Sequence, residues 1–394
     1  MFIYNLLILF PKKLVLKSYC QVAICLALII LMPVMAEGSE LQCLQAPKDA
    51  SDSFGFSVAA VDHTILVGDP QANTVWVYEK DANGFREARA LRPPPESEAA
   101  KYGKGFGRSV AIDESGALVI GAFFEEALGV APRGGGAGWR RLSAVFVADN
   151  TAALVREIPG LGELRKMQGF GFSVARHGRH VAVGLRSIAG ERYGMSSVLL
   201  LDIDEGSQTL IEAPTPDAAM DFGYSLSITK GVLLIGAPWL PPSGGAAVYD
   251  LGDGTQSILF APESASRTGF SVAIDGVLAA LGGEVILSAH IDNDKWTFTE
   301  VLVEGDGTVA VSGGRVGILS AASRALGGAV TDTPPLDFTV IERERVFTER
   351  LASPGGDAEG RWPHRALAMT PDFAVIARPT EADNCKVATV HFSE

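Results

Sequence analysis

The chain has 394 residues, of which 47% are apolar and 20% charged, so it can bury a large core and is too hydrophobic to be disordered. Its 46 acidic residues outnumber its 33 Lys and Arg residues, for a formal net charge of -13. This balance argues against nucleic acid or anionic lipid as the main partner. The 44 glycines and 21 prolines favour many short strands joined by tight turns.

The first 36 residues have the pattern of a targeting segment and are set aside from the fold. A basic interruption separates two apolar runs, the second of which covers 22–32, and small residues follow at Val34 and Ala36. We therefore expect a signal peptide over 1–36 and a secreted, periplasmic or cell-surface protein with no membrane span after cleavage. The alternative is an uncleaved anchor, although the second run is shorter than the ~20 residues that cross a bilayer.

A short hairpin motif recurs through the rest of the chain, with copies starting near residues 55, 107, 171, 223, 269, 307 and 364. The first copy reads GFSVAAVDHTILVG, the fourth reads GYSLSITKGVLLIG, and the last two are degenerate. Copies at intervals of about 50 residues identify a repeat protein.

Each repeat contains four predicted strands, which the first copy shows at 55–61, 64–68, 74–80 and 85–91. The first two are apolar on both faces, as expected for strands packed between neighbouring sheets, and the fourth is polar and alternating, as expected at an outer edge. The sequence therefore predicts an all-β fold over 37–394, a seven-bladed β-propeller of four-stranded antiparallel blades.

The two ends of the predicted propeller complement each other. The last repeat is one strand short, and the mature N-terminus supplies a spare strand at 40–46 that we expect to complete the seventh blade beside 386–392. Removal of 1–36 leaves two cysteines, Cys43 and Cys385, which this pairing would bring together. An even pair in an exported chain favours a disulfide, and two free thiols are the alternative.

The start and end of the hairpin motif resemble a known repeat family. The Phe-Gly-x-Ser-Val-Ala start and the Gly-Ala-Pro end, seen in LLIGAPW at 233–239, are similar to FG-GAP repeats. The resemblance implies the seven-bladed propeller of integrin α-subunits and a role in adhesion or recognition. The calcium loop that such repeats often carry is missing here, since links such as VDHT, TKG and DG lack enough oxygen ligands. No metal and no cofactor is predicted.

Other local patterns favour structure over chemistry. The glycine-rich YGKGFGRSV at 102–110 precedes a strand, whereas a phosphate loop follows a strand and opens a helix. The acidic stretches at 250–254 and 290–295 coincide with predicted turns, where Asp, Asn and Gly serve the turn itself. No linear catalytic motif is present, so no catalytic residue is predicted.

The insertions concentrate in connections that emerge on one face of a propeller, at 122–142, 185–195 and 237–245. Loops on a rigid scaffold are frequent binding surfaces, and Arg, Trp and Tyr supply many interface hot spots. The predicted contact residues are Arg133, Trp139, Arg140, Arg141, Arg192, Tyr193 and Trp239. They would form a basic and aromatic cluster suited to a carboxylate-bearing partner. The alternative is that the tryptophans cap blade edges and the arginines are merely solvated.

The sequence thus predicts an exported, non-catalytic propeller that binds a protein or glycan partner through its loop-rich face. Two alternatives stay open at this stage. One is a hydrolase or lyase with its site at the mouth of the central channel, since a propeller can assemble a site from several blades. The other is a structural component of the cell envelope.

Overall fold

A computed structural model of the chain describes residues 41–127, 139–148, 155–158, 169–185, 197–214, 221–262, 267–292, 295–304, 307–321, 336–342, 345–351, 367–377 and 385–392. These residues belong to a compact unit that covers Gly38–Glu394. The predicted signal peptide lies outside the described residues. Within the described ranges, no helix combines the length and the hydrophobicity that crossing a membrane requires.

The described residues form 28 strands in seven four-stranded antiparallel sheets, one for each blade. Blade 1 holds β2 (Ser57–Val61), β3 (Thr64–Asp69), β4 (Thr74–Asp81) and β5 (Gly84–Leu91). Blade 2 holds β6 (Phe106–Ile112), β7 (Leu118–Ala127), β8 (Trp139–Ala148) and β9 (Arg156–Glu157). Blade 3 holds β10 (Val174–His177), β11 (His180–Leu185), β12 (Ser197–Asp202) and β13 (Gln208–Glu212).

The remaining blades repeat this order. Blade 4 holds β14 (Leu226–Thr229), β15 (Val232–Ala237), β16 (Gly245–Asp250) and β17 (Gln256–Phe260). Blade 5 holds β18 (Ser271–Asp275), β19 (Leu278–Gly282), β20 (Val285–Asp292) and β21 (Lys295–Glu304). Blade 6 holds β22 (Gly307–Ser312), β23 (Arg315–Ala321), β24 (Leu336–Glu342) and β25 (Arg345–Leu351). Blade 7 holds β26 (Leu367–Met369), β27 (Phe373–Ala377), β28 (Val387–His391) and the N-terminal β1 (Leu41–Cys43).

The first strand of each blade lies at the centre of the ring. Each of β2, β6, β10, β14, β18, β22 and β26 contacts the first strand of the next blade, and β26 contacts β2. The core lies between blades: Leu66 and Val77 of blade 1, for example, pack with Ile120 and Phe146 of blade 2, and all four are fully buried. Each such side chain contributes roughly 1.5–3 kcal/mol of burial free energy. The predicted seven-bladed propeller is confirmed.

A repeated hydrogen bond explains the serine of the motif. In four blades the motif serine, in or just before the first strand, is buried, and its hydroxyl donates to the carbonyl oxygen of the next blade's motif glycine. The pairs are Ser57 to Gly107 at 2.9 Å, Ser109 to Gly171 at 2.9 Å, Ser173 to Gly223 at 2.5 Å and Ser225 to Gly269 at 2.8 Å. The motif residues therefore form the contact between successive blades, which is why the motif recurs once in each repeat.

A glycine within the second strand serves the same contact. In blade 4, a Cβ added to Gly236 would overlap both the Gly269 carbonyl oxygen and Ser225 Oγ. Gly68, Gly121 and Gly184 have the equivalent surroundings in blades 1 to 3. No flexible side-chain end can move aside at these points, because the neighbours are backbone and a buried hydroxyl.

The N-terminal strand lies in the blade for which it was predicted. β1 pairs antiparallel with β28, with Leu41 opposite Val390 and Cys43 opposite Ala388, although only three residues of the predicted 40–46 are strand. Cys43 and Cys385 form a disulfide with Cα atoms 5.6 Å apart, as predicted.

Two features differ from the sequence prediction. Residues 122–127 and 139–142, predicted as loop, extend β7 and β8 into a longer hairpin. The connection between blades 1 and 2 contains a short helix, α1 (Glu98–Tyr102), where only a link was expected. The Ser97 hydroxyl caps α1 by accepting from Ala100 N, and Gly103 ends it in the left-handed conformation.

Candidate functional site

The structure places some of the predicted contact residues and leaves others out. Arg133, Arg192 and Tyr193 lie outside the described residues. Trp239 lies between β15 and β16, on the loop-rich face, and its side chain is 46% exposed.

The other three predicted contacts are strand residues rather than loop residues. Trp139, Arg140 and Arg141 are the first residues of β8. The register places Arg141 opposite Glu125 and Arg140 opposite Glu126 on β7. The backbone register thus brings two acidic positions of β7 next to the two arginine positions of β8.

A continuous aromatic belt, not recognised from the sequence, crosses the same face. It consists of the residue between the motif glycine and serine in blades 1 to 5: Phe56, Arg108, Phe172, Tyr224 and Phe270. Each lies where the innermost strand begins, so the belt lies around the centre of the ring. The sequence signal was available, because four of the five motif copies carry Phe or Tyr at this position.

Neighbouring members of the belt are in contact. The Arg108 guanidinium lies 4.6 Å from the Phe56 ring centroid and 5.3 Å from that of Phe172. The Phe172 and Tyr224 rings meet edge to face at 5.3 Å, and those of Tyr224 and Phe270 at 4.7 Å. Such aromatic pairs add about 0.5–1.5 kcal/mol each beyond their buried area. Contacts between neighbours therefore hold the side chains of the belt in place.

Trp239 extends the belt outward. Its ring meets Phe270 edge to face at 6.0 Å, and its Nε1 donates to Asp221 Oδ2 at 3.0 Å. The Arg267 guanidinium lies 5.8 Å from the Trp239 ring centroid and forms an ion pair with Glu284, Nε to Oε1, at 3.2 Å. An exposed indole is therefore held by its hydrogen bond to Asp221 and lies near the Arg267 guanidinium, which Glu284 in turn holds.

Shifted carboxyl pKa values occur on the opposite, short-hairpin face. The described carboxyl groups with a lowered pKa are Asp113, Asp202 and Asp253. Burial raises the pKa of Asp113, but hydrogen bonds from Ser115 and Ala117 and the Arg176 guanidinium outweigh burial, so this pKa lies below its usual range. Asp113 and Arg176 form a buried ion pair between blades 2 and 3 at 3.3 Å, Oδ2 to Nε. These shifts accompany turn and interblade contacts.

The described residues contain no group of three or more His, Cys, Asp or Glu side chains arranged to hold a metal ion. The buried carboxylate of Asp69 near the loop-rich face is committed to structure. It accepts hydrogen bonds from the backbone and hydroxyl groups of Ser51, from Ser53 Oγ at 2.6 Å and from Trp76 Nε1 at 3.4 Å. Those donors tie the segment before blade 1 to the end of β3.

Similarity to known proteins is limited to the fold. No protein-family model matches the chain, and no curated protein matches it. Among solved structures, U3-55K has a TM-score of 0.54 at 10% identity, over 90% of this chain and 99% of that one. YjhT has a TM-score of 0.47 at 12% identity, over 80% of this chain and 99% of that one. At such identity the likeness to U3-55K shows a β-propeller fold alone, and the FG-GAP resemblance stays a prediction from the motif residues.

Proposed function

We propose that the protein is an exported, non-catalytic recognition module of the FG-GAP type, which binds a protein or glycan partner through its loop-rich face. The observation that carries the proposal is the exposed, oriented indole of Trp239 at the rim of the aromatic belt. Large aromatic side chains on a rigid support are typical of binding hot spots, because little side-chain entropy is lost on binding.

Two further features support export and recognition. The Cys43–Cys385 disulfide suits an oxidising compartment, in agreement with the predicted signal peptide. The short hairpins of the opposite face form turn and interblade contacts. The loop-rich face is therefore the better candidate for partner binding.

The test is capture of partners by the secreted 37–394 protein from the extracellular fraction of its own source. Capture by wild-type protein is compared with capture by Trp239→Ala and by two control variants. The controls are Leu210→Ala on an outer strand and Val277→Ala on the short-hairpin face. Leu210 and Val277 are 43% and 61% exposed, so they match Trp239 in accessibility.

We expect Trp239→Ala to reduce capture of a specific partner about tenfold, as truncation of an aromatic hot spot does. Both controls should retain capture. Equal capture by all four proteins would overturn the assignment of the binding face. Chemical turnover of the captured partner by wild-type protein would overturn the non-catalytic assignment.

A further inference from the structure

The repeats provide an internal comparison at the position two residues before the motif glycine. Blades 2 and 3 have glycine there, Gly105 and Gly169, with φ of 104° and 75°. Blades 4 and 5 have Asp221 and Arg267 at the same position, with φ of 64° and 54°. The left-handed region suits glycine and strains other residues, with Asp tolerated better than Arg.

In blades 2 and 3 a glycine alone provides this backbone conformation, so the conformation does not require the side chains of Asp221 and Arg267. A carboxylate and a guanidinium at strained positions call for a use of their side chains, since strained backbone is concentrated at functional sites. Both side chains reach the same group, the Trp239 indole, from adjacent blades. Two residues with strained backbone therefore place their side chains at one exposed indole, and this arrangement marks Trp239 as a candidate binding position.

We infer that Trp239, Asp221 and Arg267 form a subsite for a neutral carbohydrate. The inference rests on the proposed function and names the class of ligand that this face takes. A sugar ring presents an apolar C–H face, which can lie on an exposed indole, and a rim of hydroxyls that both donate and accept. Carboxylates accept such hydrogen bonds and a guanidinium donates them, so the groups around Trp239 match both requirements.

The charges around Trp239 disfavour ionic ligands. An anionic ligand would approach Asp221 and Glu284 on a chain whose formal net charge is -13. A cationic ligand would meet Arg267, whose guanidinium already lies near the indole. A neutral ligand that exchanges hydrogen bonds with both signs of charge avoids these penalties.

The experiment measures binding of defined sugars to the intact 37–394 protein by isothermal titration calorimetry and tryptophan fluorescence. The neutral probes are cellohexaose, laminarihexaose, xylohexaose, chitohexaose and maltohexaose, and the charged probes are polygalacturonate and polylysine. Trp239→Ala should weaken binding of the best neutral probe at least tenfold, whereas Trp239→Phe should retain part of it.

Asp221→Gly and Arg267→Gly separate binding from folding. If the side chains serve a ligand, each glycine variant should weaken sugar binding at least fivefold while its urea unfolding midpoint stays equal or rises. Val277→Ala, on the short-hairpin face, should change neither sugar affinity nor the unfolding midpoint.

Three results would overturn the inference. They are no binding of any neutral probe, preferential binding of a charged probe, or glycine variants that lower the unfolding midpoint without changing sugar affinity. Capture of a protein partner that depends on Trp239, without sugar binding, would leave the proposed function standing while the sugar assignment fails. If Trp239→Ala changes neither partner capture nor sugar binding, the proposed function and the sugar assignment both fail.

Discussion

Replacement of Gly236 by Ala tests the contact on which the repeat depends. The new methyl group would overlap the Ser225 hydroxyl, just before β14 of the same blade, and the Gly269 carbonyl oxygen, just before β18 of the next blade. The hydroxyl cannot yield without breaking its 2.8 Å hydrogen bond to the same carbonyl. Blades 4 and 5 must therefore separate locally.

The expected loss of stability follows from two contributions. Overpacking a tight site costs about 1–3 kcal/mol. Loss of a buried hydrogen bond adds about 1 kcal/mol. We expect Gly236→Ala to lower the free energy of unfolding by about 2–4 kcal/mol, which corresponds to a fall of roughly 3–5 °C in Tm for a chain of this length.

Urea denaturation followed by tryptophan fluorescence, with Tm by calorimetry, measures the effect. Gly252→Ala is the matched control, because Gly252 has no left-handed backbone and an added Cβ would have only the exposed Asp250 carboxylate within 4 Å, at 3.1 Å. Gly184→Ala, at the equivalent place in blade 3, should behave like Gly236→Ala. If Gly236→Ala and Gly252→Ala unfold at the same urea concentration, the explanation of the motif is wrong.

Three other changes probe stability elsewhere in the ring. Asp113→Ala leaves the buried Arg176 unpaired, so urea unfolding should show a loss of about 3 kcal/mol. Replacing Cys43 and Cys385 by Ser removes a link between residues 342 positions apart, and the chain-entropy model sets the loss by the same assay at up to about 6 kcal/mol. His391 has a pKa lowered by burial, so the unfolded chain binds its proton more readily and stability should fall as pH drops below about 6.5. Unfolding at a series of pH values measures this slope, which His391→Gln should reduce.

Each of these predictions has its own control. Exposed Glu205→Ala should leave stability within about 0.5 kcal/mol, unlike Asp113→Ala. The cysteine variant should match wild-type protein measured under reducing conditions, and a gap between them would show that the substitution and not the lost bond is responsible. An unchanged pH slope in His391→Gln would show that another group titrates.

The repeat architecture could be predicted because every blade has the same local requirement. A motif glycine, a serine and a second glycine meet at each of four blade contacts, so their spacing along the chain records the spacing of blades in space. The disulfide followed from the same count, since a missing last strand and a spare first strand place Cys43 near Cys385. Length, motif and strand pattern were sufficient for these conclusions.

The candidate site was only partly accessible to sequence reasoning. Trp239 was identified by residue type and loop position, but its partners Asp221 and Arg267 come from separate blade connections and meet it only in the folded ring. The start of β8 was assigned to a loop because it belongs to the insertion at 122–142, whereas pairing with β7 extends the strand to Trp139.

The number, order and composition of the blades follow from the sequence alone, because strand pattern and glycine requirements are local properties that recur with each repeat. Which side chains of different blades come together depends on the folded ring. The belt brings together residues about 50 positions apart, and the left-handed backbone at Asp221 and Arg267 depends on how each connection enters the ring. Contacts of this kind depend on the curvature of the closed ring, which no single repeat encodes.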